Sequence, residues 1–585
     1  MGDYIKKQNN ITPLLKQGNS AAQSAVSGIF NFIASKSVLP FFGYIITCVI
    51  CYMYIFLMGN GLRVVYGDTW IYTDLAKRIA FNQSLRMDCV FDFIYPPLYS
   101  ALISLAYYFR EQAAIFEAIK IANILVYASA FVPVYYLLKR YAALSRNQSF
   151  AGAILLLINT YSLGYVFYIT AEPLYFPLLA WLAWFLADMK HFKSGLNVLM
   201  LTLIFASIPL TKALGNLVFP SFIGATIIRY IYVRNKCSRD DAGMLIRRSV
   251  LIVIASAAIL LLYNIYLRAV LPAAQTDISG GYLAFMNHPN IIKPSYWFDR
   301  TVYSCSWMLI VTGTVAVPLV VSIIIRTPKI IYEDYLASFI LFALLSTFIL
   351  VPLFTATDFM GDPHQRYYDP LMFLFMIILF KYRHLFALQD LVIAGVMTLL
   401  FCIIAPPFPL FIMADRVALI ISNMWAVYLC IYVVAGAIFM SMLFVLYRYR
   451  NYFVNISLIM MAISMPITFY MKGGMLGPNM FGFNDASGIT QKVISERSLN
   501  SKTEFIVDMS WRQKLGFQEN YDINYWEYYK IMINIPIVPV FKDVNRYVAM
   551  PENKGKRLLV LSHENMLNAA MTIKGRCVSL FVIDL

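Results

Sequence analysis

The strongest constraint on this chain is a repetition of long apolar runs separated by short, basic, turn-like stretches. A helix that crosses a bilayer needs roughly 20 mostly apolar residues, and about thirteen segments read that way. They lie at residues 38–60, 114–137, 150–168, 173–188, 196–211, 216–233, 249–267, 302–325, 335–355, 367–381, 388–404, 424–446 and 452–470. The chain is 60% hydrophobic and 13% charged, against a charged share of about a quarter in soluble domains. The expected fold class is therefore an α-helical polytopic membrane protein.

The net charge of +16 would suit a nucleic-acid binder, but the basic residues form short clusters between apolar runs and no nucleic-acid motif accompanies them. Membrane topology accounts for the charge better, because short cytoplasmic loops collect Lys and Arg. Alternate turns hold Lys139, Arg140 and Arg146; Lys190 and Lys193; Arg229, Arg234, Lys236, Arg239, Arg247 and Arg248; Arg326 and Lys329; Lys381 and Arg383; and Arg448 and Arg450. All fall on one side only if residues 95–109, YPPLYSALISLAYYF, do not cross; the run is short and its paired prolines suit a re-entrant or interfacial helix. The amino terminus is then expected in the cytoplasm and the carboxyl terminus outside.

Three parts follow: a polar cytoplasmic segment at 1–37 without signal-peptide features, a membrane domain at 38–470, and an outward domain at 471–585. In the last, EFIVDMS, INIPIVPVF, RLLVLS and CVSLFVIDL read as strands and YDINYWEYYKIM as a helix, hence a small α/β domain. Cys48 and Cys51 give a CxxC spacing inside the first apolar run, with no second pair or nearby His, and read as core residues.

This topology sorts the polar residues. Asp68 falls in the first outer loop, ahead of a pattern that sets Ile71, Leu75 and Ile79, with Tyr72, Ala76 and Ala80, against Thr73, Asp74, Lys77 and Arg78. Such a pattern predicts an amphipathic helix lying in the interface. Glu172 lies at the second outer loop, Thr211 and Lys212 at the third, Asp277, His288, Asp299 and Arg300 at the fourth, and Asp358, Asp362, His364, Arg366, Tyr367 and Asp369 at the fifth. Acids, cations and aromatic rings thus collect at one membrane boundary while the runs carry little charge at their centres. That arrangement favours surface chemistry over a transporter, whose ionisable groups sit within spans. A noncatalytic scaffold leaves the outer charges without a purpose.

Moving a sugar from a lipid phosphate to a hydroxyl passes through an oxocarbenium-like state. A carboxylate takes the acceptor's proton, and cations hold the phosphate oxygens. Asp68 is the candidate base; Lys212, His364 and Arg366 are candidates for the phosphate. Each has a plainer alternative: Asp68 as a helix cap, Glu172 before Pro173 as a helix start, Lys212 snorkelling to headgroups, Arg366 and Tyr367 as an interfacial anchor.

GDTWIYTDLA followed by YPPLYSALISL resembles the first outer loop of the GT-C glycosyltransferases, including protein O-mannosyltransferases and lipid A aminoarabinose transferases. AEPLY, with Glu172, and HQRYYDP, with Arg366 and Tyr367, resemble elements near the donor phosphate in such proteins. The resemblance covers nearly all of residues 38–470. It implies a polyprenyl-phosphate sugar as donor, with Glu172, Lys212, His364, Arg366 and Tyr367 binding it and Asp68 acting as base. The acceptor would be a glycan, lipid or protein, for instance O-antigen, at a bacterial inner membrane. The family's second acid is replaced by Thr69, so a metal site is not expected, and no cofactor beyond the lipid-linked donor is implied.

Overall fold

The computed structural model describes residues 38–57, 66–81, 96–109, 112–159, 162–166, 168–236, 239–270, 293–297, 316–354, 369–404, 441, 444–445, 447–462 and five strands between 503 and 584. The helices are α1 (Leu39–Leu57), α2 (Tyr66–Ala80), α3 (Leu98–Ser104), α4 (Gln112–Ala128), α5 (Phe131–Tyr136), α6 (Arg146–Asn159), α7 (Ser162–Tyr165), α8 (Glu172–Leu186), α9 (Gly195–Thr211), α10 (Val218–Lys236) and α11 (Arg239–Val270). After them come α12 (Ala316–Arg326), α13 (Lys329–Glu333), α14 (Tyr335–Phe354), α15 (Asp369–Tyr382), α16 (Leu388–Ile404) and α17 (Phe453–Ala462). Among the described residues, 4 helical stretches are long and apolar enough to cross a membrane: Leu39–Phe56, Ala114–Tyr141, Ala213–Lys236 and Arg239–Ala269. The chain is a polytopic, mostly α-helical membrane protein.

Because hydrocarbon offers no hydrogen bonds, polar groups inside such a bundle must find partners within it. Thr47, Thr202, Thr211, Ser221 and Thr347 each return their hydroxyl to the carbonyl four residues earlier in their own helix. Ser256 donates across to the Thr202 carbonyl at 3.1 Å, tying α11 to α9. The core is largely aromatic and aliphatic. Gly43 of α1 faces the Phe131 ring so closely that a Cβ would lie 2.1 Å from it, so only glycine permits this approach of α1 to α5.

The turns that carry the basic clusters meet at one end of the bundle. Asp334, just before α14, accepts from Tyr141 at 2.5 Å and from Lys381 and Tyr382 at 2.7 Å each, while its other oxygen caps the Ala337 amide. Arg383 donates to the Ala142 carbonyl and Arg229 to the carbonyls of Tyr332 and Glu333. Nearby, Arg326 and Ser322 bind Asp390 at the start of α16. Tyr141 reaches Asp334 from a π-helical turn, Leu137–Tyr141, that leads into Ala143 at φ 53, a left-handed conformation for a residue with a Cβ. The turns grouped by charge in the sequence are therefore grouped in space.

Four expectations are refined or corrected. Residues 98–108 form α3 and a 3-10 turn, about 16 Å of helix by the usual rise per residue, too short to cross. Within the segment expected at 150–168 the described residues form the end of α6, to Asn159, and α7, Ser162–Tyr165. Thr73, Lys77 and Arg78, placed by the sequence pattern on the polar face of α2, are not solvated: Lys77 is 1% exposed and Arg78 6%. α2 packs against α3 and its 3-10 extension, and the Lys77 ammonium lies 5.8 Å from the Tyr107 ring centre of that extension. Finally, near the start of the run 114–137, Lys120 is buried and paired with Glu117. Cys51 is buried, and Cys48 and Cys51 are both free thiols.

Beyond the helices stands a five-stranded sheet of order β2-β1-β3-β5-β4, with β1 (Thr503–Asp508), β2 (Val540–Lys542), β3 (Arg557–Ser562), β4 (Met571–Lys574) and β5 (Ser579–Asp584). β1 is parallel to β2 and β3; β5 is antiparallel to β3 and β4. Three of the four expected strands appear with close bounds, and of INIPIVPVF the described residues Val540 and Phe541 lie in β2. β4 was not expected. The helix expected at YDINYWEYYKIM lies outside the described residues.

Removing Asp334 leaves the Lys381 ammonium without its carboxylate and two phenols without their acceptor. Asp334→Ala is expected to destabilise the protein by about 3 kcal/mol, read as a lowered thermal unfolding midpoint in detergent; an unchanged midpoint refutes the hub.

Candidate functional site

At the opposite end of the bundle the structure brings together groups from distant parts of the chain. Glu172 is the first residue of α8, followed by Pro173, where a missing amide hydrogen costs nothing and the acid faces the positive end of the helix dipole. Lys212 follows the last residue of α9, in extended conformation. Its ammonium donates to Glu172 Oε1 at 2.6 Å, with the Glu172 residue only 2% exposed. The Tyr175 ring centre lies 5.8 Å from the same ammonium. Lys212 therefore turns inward onto an acid and does not snorkel.

The turn after Lys212 is tight. Gly215 returns its amide to the Lys212 carbonyl at 2.8 Å, and a Cβ at Gly215 would stand 2.5 Å from the Ile208 carbonyl oxygen. Both helices also contain an internal proline, Pro177 in α8 and Pro209 in α9, neither of which can donate to the helical ladder. The Glu172–Lys212 pair joins these two helix ends through side chains.

A second layer braces the pair. Tyr99 of α3 donates to Asn123 of α4 at 3.0 Å, and Asn123 donates to the carbonyls of Tyr168 at 3.1 Å and Val166 at 3.4 Å, in the strand-like stretch that leads into Glu172. Burial, with a lesser push from the Glu172 carboxylate, raises the Tyr99 phenol above its ordinary range, so it remains a donor. Ser100 binds the Tyr72 carbonyl at 2.9 Å, and the Tyr72 and Tyr99 rings meet edge to face at 5.2 Å. These contacts tie α2 to α3, α3 to α4, and α4 to the entry of α8. In the same stretch the Thr170 hydroxyl is buried with no hydrogen-bond partner among the described residues.

Of the residues proposed from sequence, Glu172 and Lys212 are brought into contact. Asp68 lies in the first turn of α2, which starts at Tyr66, so it is inside the helix and not ahead of it; its side chain lies outside the described residues. His364, Arg366 and Tyr367 also lie outside the described residues. Sequence reasoning missed Asn123 and Thr170. The signal for Asn123 was available: an amide inside an apolar run has to bind something.

No protein-family model matches this chain, and no curated protein matches it. Solved structures do. The crystal structure of ArnT from Cupriavidus metallidurans bound to undecaprenyl phosphate is similar at a TM-score of 0.51 and 11% identity, covering 92% of this chain and 97% of that one. The apo state of the same ArnT gives a TM-score of 0.50 at 12% identity, covering 92% and 98%. The chain shares the fold of ArnT over nearly its full length.

The buried pair makes a stability prediction. Glu172→Gln or Lys212→Met alone strands a charge and is expected to cost about 3 kcal/mol, whereas the double variant is expected to lie near the native value. A thermal-unfolding cycle in detergent measures this; additive single effects would mean that the two groups do not depend on each other.

Proposed function

We propose that this protein is a membrane glycosyltransferase that moves a sugar from a polyprenyl-phosphate donor to an acceptor hydroxyl at the outer face of the membrane. The observation that carries this is likeness of fold over nearly the full length of both chains to ArnT bound to undecaprenyl phosphate. The polar end of the bundle supports it, because a buried acid–ammonium pair, a braced tyrosine and a hydroxyl without a hydrogen-bond partner among the described residues gather at one end of the helices.

In this reading Asp68 accepts the acceptor's proton as the glycosidic bond forms and the bond from the anomeric carbon to the phosphate oxygen breaks. His364, Arg366 and Tyr367 hold the phosphate, Arg366 through two parallel hydrogen bonds. Glu172 keeps Lys212 charged and oriented beside this region. The lipid-linked sugar is a substrate and no cofactor is required. We further propose about thirteen spans, a cytoplasmic segment at 1–37, a catalytic membrane domain at 38–470, and an outward domain at 471–585. The setting is a bacterial inner membrane, with the amino terminus in the cytoplasm and the outward domain in the periplasm. The acceptor is a surface glycan such as O-antigen.

Purified protein incubated with a panel of polyprenyl-phosphate sugars is expected to consume one of them. Asp68→Asn should lower kcat by roughly 100- to 10,000-fold, the usual worth of a general base, while leaving the fold intact; undiminished transfer excludes Asp68 as the base. Arg366→Ala is expected to raise the KM for donor more than Arg300→Ala does, and equal effects would remove Arg366 from the phosphate site.

A further inference from the structure

α8 is nearly enclosed by its neighbours. Of its 15 residues all are buried except Leu174, Leu178, Trp181 and Trp184, which recur at helical spacing and so form one apolar stripe along one face. These four are half-buried, unlike the outward Leu261 and Leu262 of α11, which are 58% and 66% exposed. The stripe is therefore a recessed furrow, one side chain wide and about 15 Å long at the usual rise per residue.

At the end of α8 away from Glu172 the furrow meets a cationic head. The rings of Tyr136 and Trp184 lie 5.4 Å apart, and the exposed Arg140 guanidinium stands 5.0 Å from the first and 5.4 Å from the second. On the turn Met189–Lys193, the His191 ring lies 5.1 Å from Trp184 and donates from Nδ1 to the Phe185 carbonyl at 3.1 Å, which leaves Nε2 for another partner. Lys190 is exposed on the same turn. Among the described residues neither Arg140 nor Lys190 has an acid partner, and neither the Tyr136 hydroxyl nor the Trp184 indole N–H has an acceptor. The nearest acids are engaged elsewhere: Asp188 caps the Lys190 amide, and Asp241 faces Lys193 at 3.4 Å. The dipole of α8 and the charge bias of short loops account for a cation at this place. They do not account for a planar cation laid over two rings at the head of an apolar furrow, among donors that lack acceptors.

We propose that this furrow seats one anionic phospholipid of the bilayer. Its phosphate accepts from Arg140, whose planar fork matches two oxygens at once, and from Trp184 and Tyr136. Lys190 adds positive charge at the headgroup, as basic pockets between membrane helices do for anionic lipids. One acyl chain then runs over Trp181, Leu178 and Leu174. The seat lies about 18 Å along α8 from Glu172, and it stands or falls without the transferase reading.

The test is native mass spectrometry of the full-length protein in detergent, titrated with phosphatidylglycerol or with phosphatidylcholine of the same acyl chains. One phosphatidylglycerol is expected to bind per protein, at least tenfold more tightly than phosphatidylcholine. Arg140→Gln and Trp184→Leu should each weaken it at least tenfold, whereas Lys236→Gln, which removes an exposed cation at the same end of the bundle on α10, should leave it unchanged. Arg140 is itself exposed, so Arg140→Gln keeps the test available should Trp184→Leu disturb packing. Equal binding of the two lipids, or indifference to Arg140→Gln, overturns the seat. So does a loss in Lys236→Gln as large as that in Arg140→Gln, which would mean diffuse charge attraction. Glycerol 3-phosphate should not displace the lipid at millimolar concentration; displacement would leave a phosphate site without an acyl furrow and overturn the proposal.

Discussion

The polar end of this molecule depends on one ion pair. Glu172 and Lys212 close the ends of two helices, and they do so where water is largely excluded. Two charges so placed give little net stability, since desolvation takes back most of their attraction. What they provide is position: each is intolerable without the other, so the start of α8 and the end of α9 cannot drift apart. Asn123 and Tyr99 then index α4 and α3 to the same point.

The other end follows the same logic with different groups. Asp334 gathers a lysine and two tyrosines from two distant stretches of chain. The bundle therefore has a polar node at each end and an apolar middle in which hydroxyls bond back within their own helices. A membrane protein has little choice in this, because hydrophobic attraction between helices is nearly absent in lipid and close packing with satisfied polar groups must replace it.

Much of this was legible in the chain. Apolar length located α1, α8, α9, α14 and α16 to within a few residues, and the basic turns identified which loops share an end, because length and charge are properties of local sequence. Burial was less legible. The 3.6-residue pattern of α2 correctly divides its side chains into two faces, but periodicity cannot tell whether the polar face meets water or another helix. Lys77 and Arg78 are buried, with the Lys77 ammonium against the Tyr107 ring of the 3-10 turn after α3. The pairing of Glu172 with Lys212, and of Asn123 with carbonyls more than forty residues away, depends on which helices are neighbours in space. β4 escaped notice because MTIK is too short to display an alternation.

α11 is a 32-residue helix, and Val250, Leu251, Ile254, Leu261, Leu262 and Ile265 all point away from the protein. Acyl chains are fluid and accept any side chain with enough hydrocarbon, so a surface of this kind constrains bulk and oiliness but hardly spelling. A chain built largely of such surfaces can exchange most of its letters while its helices keep their places. The 11% identity that accompanies a shared architecture with ArnT is what so permissive a solvent allows.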